Sequence, residues 1–252
     1  MLLAVCLKQV VTRESAIRIA ASGTAIDDSR ASWELNEPDA YALEAALRLR
    51  DQHGGEVLAV SAGPDRVVQV LREALARGAD RALHVAGDWL AAADAAGTAS
   101  ALAAGLGRER VDLVLTGLQS DDQGFGQVGV SLAELLGLPH ATIVMAVEVA
   151  PEGLRVKREL EGGWSQWVRL PLPALLTVQS GINQLRYATL KGIMAARKKT
   201  VETVQAPPAA PGLRVVRIHA PERAERARML SGSPAEAAQA LVRALRDEAR
   251  VL

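Results

Sequence analysis

From Leu2 to Leu136 the chain alternates short apolar runs with stretches of helical spacing, and that alternation leaves few folds open. Leu2–Leu7 is a continuous apolar run, the pattern of a strand covered on both faces. Ala16–Ala20 alternates, as a half-exposed strand does. Asn36 opens a helix, its side chain expected to accept first-turn N–H groups, with Pro38 and Asp39 inside that turn. Ala40, Leu43, Ala46, Leu47 and Arg50 follow, and Gly54-Gly55 stops it. Glu56–Ser61 is the next strand. Gly63-Pro64 then opens a helix with Val67, Val70, Leu71, Ala74 and Leu75 on one face, ended by Gly78. Arg81–Val85 and Val111–Thr116 read as core strands, and Asp94–Gly105 and Gln127–Leu136 as helices. This order predicts an α/β fold: a mostly parallel sheet with helices on both faces.

The pattern changes after Pro139. Thr142–Val149, Leu154–Leu160 and Trp167–Leu170 read as strands joined by glycine turns, an antiparallel hairpin region. Ala174–Val178 returns to a buried strand. Ala206–Gly212 is a Pro/Ala linker, and Pro234–Arg250 a helix with Ala237, Leu241, Ala244, Leu245 and Ala249 on one side. A lone helix beyond such a linker buries little in its own domain, so it is expected to pack on a partner or reach back across the molecule. The expected division is an α/β domain over 1–200 and a linker with a C-terminal helical arm, contacting a partner subunit, over 201–252.

Composition narrows the function. Lys plus Arg and Asp plus Glu both number 29, and this balance argues against a chain that coats nucleic acid. The single cysteine, Cys6, excludes an intrachain disulfide and a cysteine zinc cluster. No segment approaches the ~20 apolar residues that span a bilayer. The first residues read as a buried strand rather than a leader, so a soluble cytoplasmic protein is expected. Aromatics are only 3%, which requires an aliphatic core. They nevertheless gather at motifs: Trp33 and Tyr41 flank Asn36, Phe125 lies in a Gly-rich loop, and Trp164 and Trp167 lie in the hairpin region.

Three segments follow predicted strands, at the sheet edge where open α/β sheets bind ligands. They are Cys6-Leu7-Lys8 with Asn36 opening the next helix, Ser61-Ala62-Gly63-Pro64, and the loop Gly117–Gly129. That loop carries Gly117, Gly124, Gly126 and Gly129 and directly precedes a helix. Glycines admit positive φ and close approach to a ligand, and a helix start offers free N–H groups to phosphate. Gln119, Ser120 and Gln127 add neutral hydrogen bonds. Asp121 and Asp122 suit ribose hydroxyls or an adenine amino group. Together these edges favour nucleotide binding.

Catalytic signatures are missing. There is no Walker loop and no nucleophile elbow, and Gly124-x-Gly126-x-x-Gly129 spells the dinucleotide fingerprint but lies well past its strand, so alone it is a weak signal. His53 and His219 read as surface residues, His84 sits mid-strand, and His140 follows Pro139; none pairs with a carboxylate at helix or loop spacing. Asp121 and Asp122 lack further metal ligands nearby. Arg197-Lys198-Lys199 reads as a solvated face. A nucleotide pocket without a catalytic group suits a carrier or regulatory subunit.

Several dispersed stretches carry a resemblance. Val156–Thr177 reads VKRELEGGWSQWVRLPLPALLT, with Arg158, the Glu161-Gly162-Gly163 turn, Gln166, Val168, Pro173 and Leu175-Leu176-Thr177. Asn183–Leu190 reads NQLRYATL, Leu7–Val10 LKQV, Ala42–Leu49 ALEAALRL and Ala76–Arg81 ARGADR. Taken in chain order they resemble the electron transfer flavoprotein β subunit family, over about residues 1–200 and more loosely in the C-terminal helix. The resemblance implies a heterodimer whose α subunit holds the redox-active FAD, with AMP bound structurally in the β subunit. The site would map onto Cys6, Asn36, Asp39, Ala62, Gly117, Gln119, Ser120, Asp121, Asp122, Gln123, Gly124, Phe125, Gly126, Gln127, Val128 and Gly129. It also implies a docking loop, Tyr187 and the anchor Leu190, for an acyl-CoA or other dehydrogenase, and delivery to a quinone reductase or other acceptor.

The chain departs from the family pattern in places. The family's Asp-Asp-Asp…Gln-Thr-Gly loop is here Asp121-Asp122-Gln123…Gln127-Val128-Gly129. Gln-Val-Gly also occurs in electron-bifurcating members, which hold a second FAD at this site and use NAD(H). Asn-Pro-Phe is replaced by Asn36-Glu37-Pro38, and Lys191 stands where Pro usually follows the docking Leu. A stand-alone ATP-binding or hydrolysing domain of related fold is the reading from another class.

Overall fold

The computed structural model describes residues 1–221 and 227–252. In chain order its elements are β1 (Leu2–Cys6), β2 (Gln9–Val11), β3 (Arg18–Ile19), β4 (Ile26–Asp27), β5 (Trp33–Leu35) and α1 (Glu37–His53). Then come β6 (Glu56–Gly63), α2 (Val68–Arg77), β7 (Arg81–Ala86), α3 (Ala95–Leu106), β8 (Leu113–Gly117) and α4 (Val128–Leu136). The remainder comprises β9 (His140–Ala150), β10 (Gly153–Glu159), β11 (Ser165–Leu170), β12 (Ala174–Val178), α5 (Leu190–Lys198), β13 (Glu202–Gln205) and α6 (Pro234–Arg243). A short π-helical turn over Ala244–Glu248 extends α6.

One sheet of nine strands organises these elements, in the order β11-β10-β9-β12-β8-β1-β6-β7-β13. From β9 to β13 every neighbouring pair is parallel, while β9, β10 and β11 pair antiparallel. The expected hairpin region is therefore continuous with the main sheet. In register, Leu3 lies opposite Val57 on one side and Leu113 on the other. Because side chains alternate along a strand, Leu3 and Val5 join Leu43, Leu47 and Leu71 under α1 and α2. Ala4 and Cys6 face the other way, toward Leu102, Leu106 and Leu132 of α3 and α4. Burying each such aliphatic side chain contributes roughly 1.5–3 kcal/mol. Two faces covered by helices explain why the central strands read as unbroken apolar runs.

Several expectations are corrected. Ala16–Ala20 contributes only Arg18–Ile19, paired with Ile26–Asp27 in a separate exposed hairpin. Ile17 is 68% exposed, so the alternation there has no core to face. The sheet extends past residue 200, since the four residues of β13 pair with β7 at its edge. Lys199 is not a purely solvated cation, because its ammonium donates to the Ala79 and Asp80 carbonyls. No described helix is long and apolar enough to cross a membrane.

Candidate functional site

The strand order places the site. From β1 the chain proceeds to β6 and β7 on one side, then to β8 and β12 on the other. At such a switch point the connections diverge from the carboxyl edge and leave a crevice between them. Lys8 follows β1, Ser61–Gly63 end β6 ahead of Pro64, and the Gly117–Gly129 loop leaves the end of β8, so the three expected segments share this edge. The first turn of α1 lies against it.

Asn36 is at the N-cap position of α1 but caps nothing with its side chain. The amide reaches across to the loop instead: Nδ2 donates to the Gln119 carbonyl at 3.1 Å and Oδ1 accepts from the Asp121 N–H at 2.9 Å. The expected local cap is thus replaced by a long-range tie, and Asn36 is 1% exposed. Asp39, one turn on, bridges two strand ends. Its carboxylate accepts from the Lys8 N–H at 2.7 Å and the Gly117 N–H at 2.9 Å. Burial pushes that carboxyl up to about 6, against the pull of the two N–H groups. Asp39 therefore fixes the two strand ends against α1.

Lys8 gathers the loop from the other side. Its ammonium lies 2.7 Å from Asp122 Oδ1, 3.2 Å from Ser120 Oγ and 3.0 Å from Gln123 Oε1. Partial burial raises the Asp122 carboxyl, but the Lys8 hydrogen bond and charge outweigh it and hold it below the ordinary range. Arg13 adds a weaker tie, 3.0 Å from Glu37 and 3.7 Å from Asp121. These ties leave Gln119, Phe125 and Gln127 exposed, with Phe125 at 49%.

The glycines fit a cradle. A Cβ at Gly117 would lie 2.5 Å from Asp39 Oδ1, and one at Gly129 2.5 Å from Thr177 Cγ2. Gly124 and Gly126 have φ of +64° and +62°, which side-chain-bearing residues rarely adopt. The loop leads into α4, whose first turn no side chain caps. Backbone N–H groups there, beside Ser120, Gln119 and two carboxylates, suit the phosphate and hydroxyls of a nucleotide.

Other residues at this edge are buried or bonded within the fold. Cys6 is buried, and desolvation raises its thiol well above the ordinary value, which keeps it protonated and unreactive. Ser61 Oγ donates to the Leu7 carbonyl at 2.8 Å, and Ala62 beside it is half-buried. His84 is buried with Nε2 2.9 Å from the Gly63 carbonyl oxygen, which fits a mid-strand histidine satisfied by backbone. Among the described residues, no group of three or more His, Cys, Asp and Glu side chains is placed to hold a metal.

Tyr187 and Leu190 lie elsewhere. α5 packs on α2, where Gly192 brings it against the Ala76 carbonyl at the far end of α2 from the nucleotide edge. The Thr189 hydroxyl caps α5 by accepting from the Gly192 N–H at 3.0 Å. Leu190 is 78% exposed and Tyr187 86%, so Leu190 is not an ordinary buried helix residue. Two features escaped the sequence reading. One is the Lys8 anchor, signalled only by a cation ending an apolar run. The other is a set of ion pairs between α1 and the segment before Tyr187, whose partners are far apart in sequence.

Known proteins are similar to this chain over most of its length. The electron transfer flavoprotein domain model matches residues 23–209. An electron transfer flavoprotein subunit beta from Methylophilus methylotrophus is 36% identical, covering 96% of this chain and 97% of its own length. The protein of that name from Bacillus subtilis is 36% identical over 90% and 91%. The human one is 37% identical over 80% of each chain. Switch-point geometry, ordered motifs and near full-length similarity agree, and the chain belongs to the electron transfer flavoprotein family as a β subunit.

Proposed function

We propose that this chain pairs with an electron transfer flavoprotein α subunit and that the heterodimer carries electrons in the cytoplasm from a dehydrogenase to a quinone reductase or another acceptor. The chain holds AMP structurally at the switch point, forms one wall of the FAD site of the α subunit, and presents Tyr187 and Leu190 to the dehydrogenase. FAD supplies the redox chemistry when bound. The residues of this chain bind, orient and exclude water.

The observation that carries the reading is the loop Gly117–Gly129, drawn over the strand ends by Asn36 and Lys8. Its glycines admit close approach, Gly129 and the uncapped start of α4 receive the phosphate, and Asp121 and Asp122 face hydroxyls or the adenine amino group. Phe125 is the ring available to stack on a base. Val128 favours a second reading, a bifurcating subunit with FAD here and an NAD(H) site, because Gln127-Val128-Gly129 lacks the hydroxyl of the AMP-type loop.

The two separate in one measurement. The co-expressed heterodimer is purified and denatured, and released flavin and AMP are quantified. One FAD and one AMP per heterodimer is the expected result. Two FAD and no AMP would replace this reading with the bifurcating one, and nucleotide hydrolysis by the chain alone would replace both.

A further inference from the structure

Residues 179–189 join β12 to α5 with neither helix nor strand, so no ladder of backbone bonds fixes their path. Their contacts to α1 do. Asn183 Nδ2 donates to the Tyr41 carbonyl at 3.1 Å, and Arg48 Nη2 donates to the Gln184 carbonyl at 2.8 Å. Arg186 donates from Nε to Glu44 Oε2 at 2.7 Å and from Nη2 to Asp51 Oδ2 at 3.0 Å. Arg48 Nε donates to Glu44 Oε1 at 2.7 Å. Glu44 is therefore the hub, and it is only 4% exposed. A buried carboxylate must keep charged partners, because losing them leaves it desolvated without compensation. One partner here comes from its own helix and the other from the segment. Directly beyond Arg186 stand the exposed Tyr187 and, three residues later, Leu190.

We propose that Glu44 is a positioning residue: clasped by Arg48 and Arg186, it holds residues 183–189 on α1 so that Tyr187 and Leu190 meet the dehydrogenase in a preformed arrangement. This rests on the docking role given to Leu190 above. An irregular segment fixed beforehand loses less conformational freedom on association, so the clamp acts on encounter affinity and leaves electron transfer within the complex alone. The ion pairs also explain how an irregular segment can hold Tyr187 out in water just ahead of Leu190 at the start of α5.

The test uses the flavin-loaded heterodimer. Glu44→Gln keeps the shape and removes the charge. Arg186→Gln is the second variant and leaves Glu44 paired with Arg48, so it decides the matter if Glu44→Gln fails to assemble. Amide exchange is followed across residues 182–190. Reduction by an acyl-CoA dehydrogenase with its acyl-CoA substrate is followed over a range of heterodimer concentrations. Exchange in this segment alone should quicken by about tenfold, and KM for the heterodimer should rise about five- to tenfold with kcat retained. Unchanged exchange, or quickened exchange with unchanged KM, overturns the proposal. Leu190→Ala in the same assay separates the two ideas. A raised KM there with none for Glu44→Gln removes the clamp and keeps the docking role. An unchanged KM for Leu190→Ala removes the docking role and the clamp's purpose with it.

Discussion

Asp39 shows how one side chain can tie two strand ends together. Its two oxygens take the N–H groups at the ends of β1 and β8, the strands that flank the crevice. Asp39→Ala leaves both donors unpaired beneath the loop and should destabilise the chain by about 2 kcal/mol. The pH dependence has a definite sign. The folded-state value of about 6 lies above the ordinary 3.8, so the native chain holds this proton more tightly than the unfolded one. The contribution of Asp39 is full below about pH 4 and is lost as pH rises through about 6. Urea denaturation across this range should show the gap between native chain and variant shrinking with rising pH; a gap that widens would show the shift to be absent. Asn36 teaches the complementary lesson. Its place before Pro38 marked a helix start correctly, since that signal is local. The destination of its amide was not legible, because Gln119 and Asp121 approach only when β8 lies beside β1.

At the scale of elements, legibility followed locality in the same way. β1, α2 and α4 emerged near their observed bounds because buried apolar runs and terminal glycines mark them. β13 did not, because Glu202–Gln205 is mostly exposed and is a strand only by pairing with β7. Ala16–Ala20 erred in the opposite direction, having the alternation of a strand with no sheet face beneath it. The seating of α5 was also hidden, although Gly192 carries it. A Cβ there would collide with the Ala76 carbonyl, so Gly192→Ala must lift α5 from α2. The expected cost is about 1–3 kcal/mol in urea denaturation. Nucleotide content of the heterodimer should stay constant, because α5 meets α2 at the end remote from the crevice. Loss of bound AMP in this variant would mean that the two regions are coupled.

Over the whole molecule, the core is closed and the periphery is not. The helices α1 to α4 bury large side chains against the sheet, whereas α6 buries none. α6 is nonetheless well specified locally: Ser233 and Glu236 form a reciprocal capping box, and Pro234 occupies the first turn. A helix that is capped this carefully yet buries no side chain against the described residues is best explained by a surface supplied from outside. On the proposed function that surface belongs to the α subunit. Leu241 and Val242 are 49% and 43% exposed and are the natural contacts. Replacing both, Leu241→Asp with Val242→Asp, should leave unfolding of the isolated chain within about 0.5 kcal/mol, since neither supports its core. Association with the α subunit should weaken by at least about tenfold in a calorimetric titration, as desolvated aspartates oppose an apolar contact. Full association with unchanged stability would free α6 from the interface, and the partner would then have to be held by the sheet domain alone.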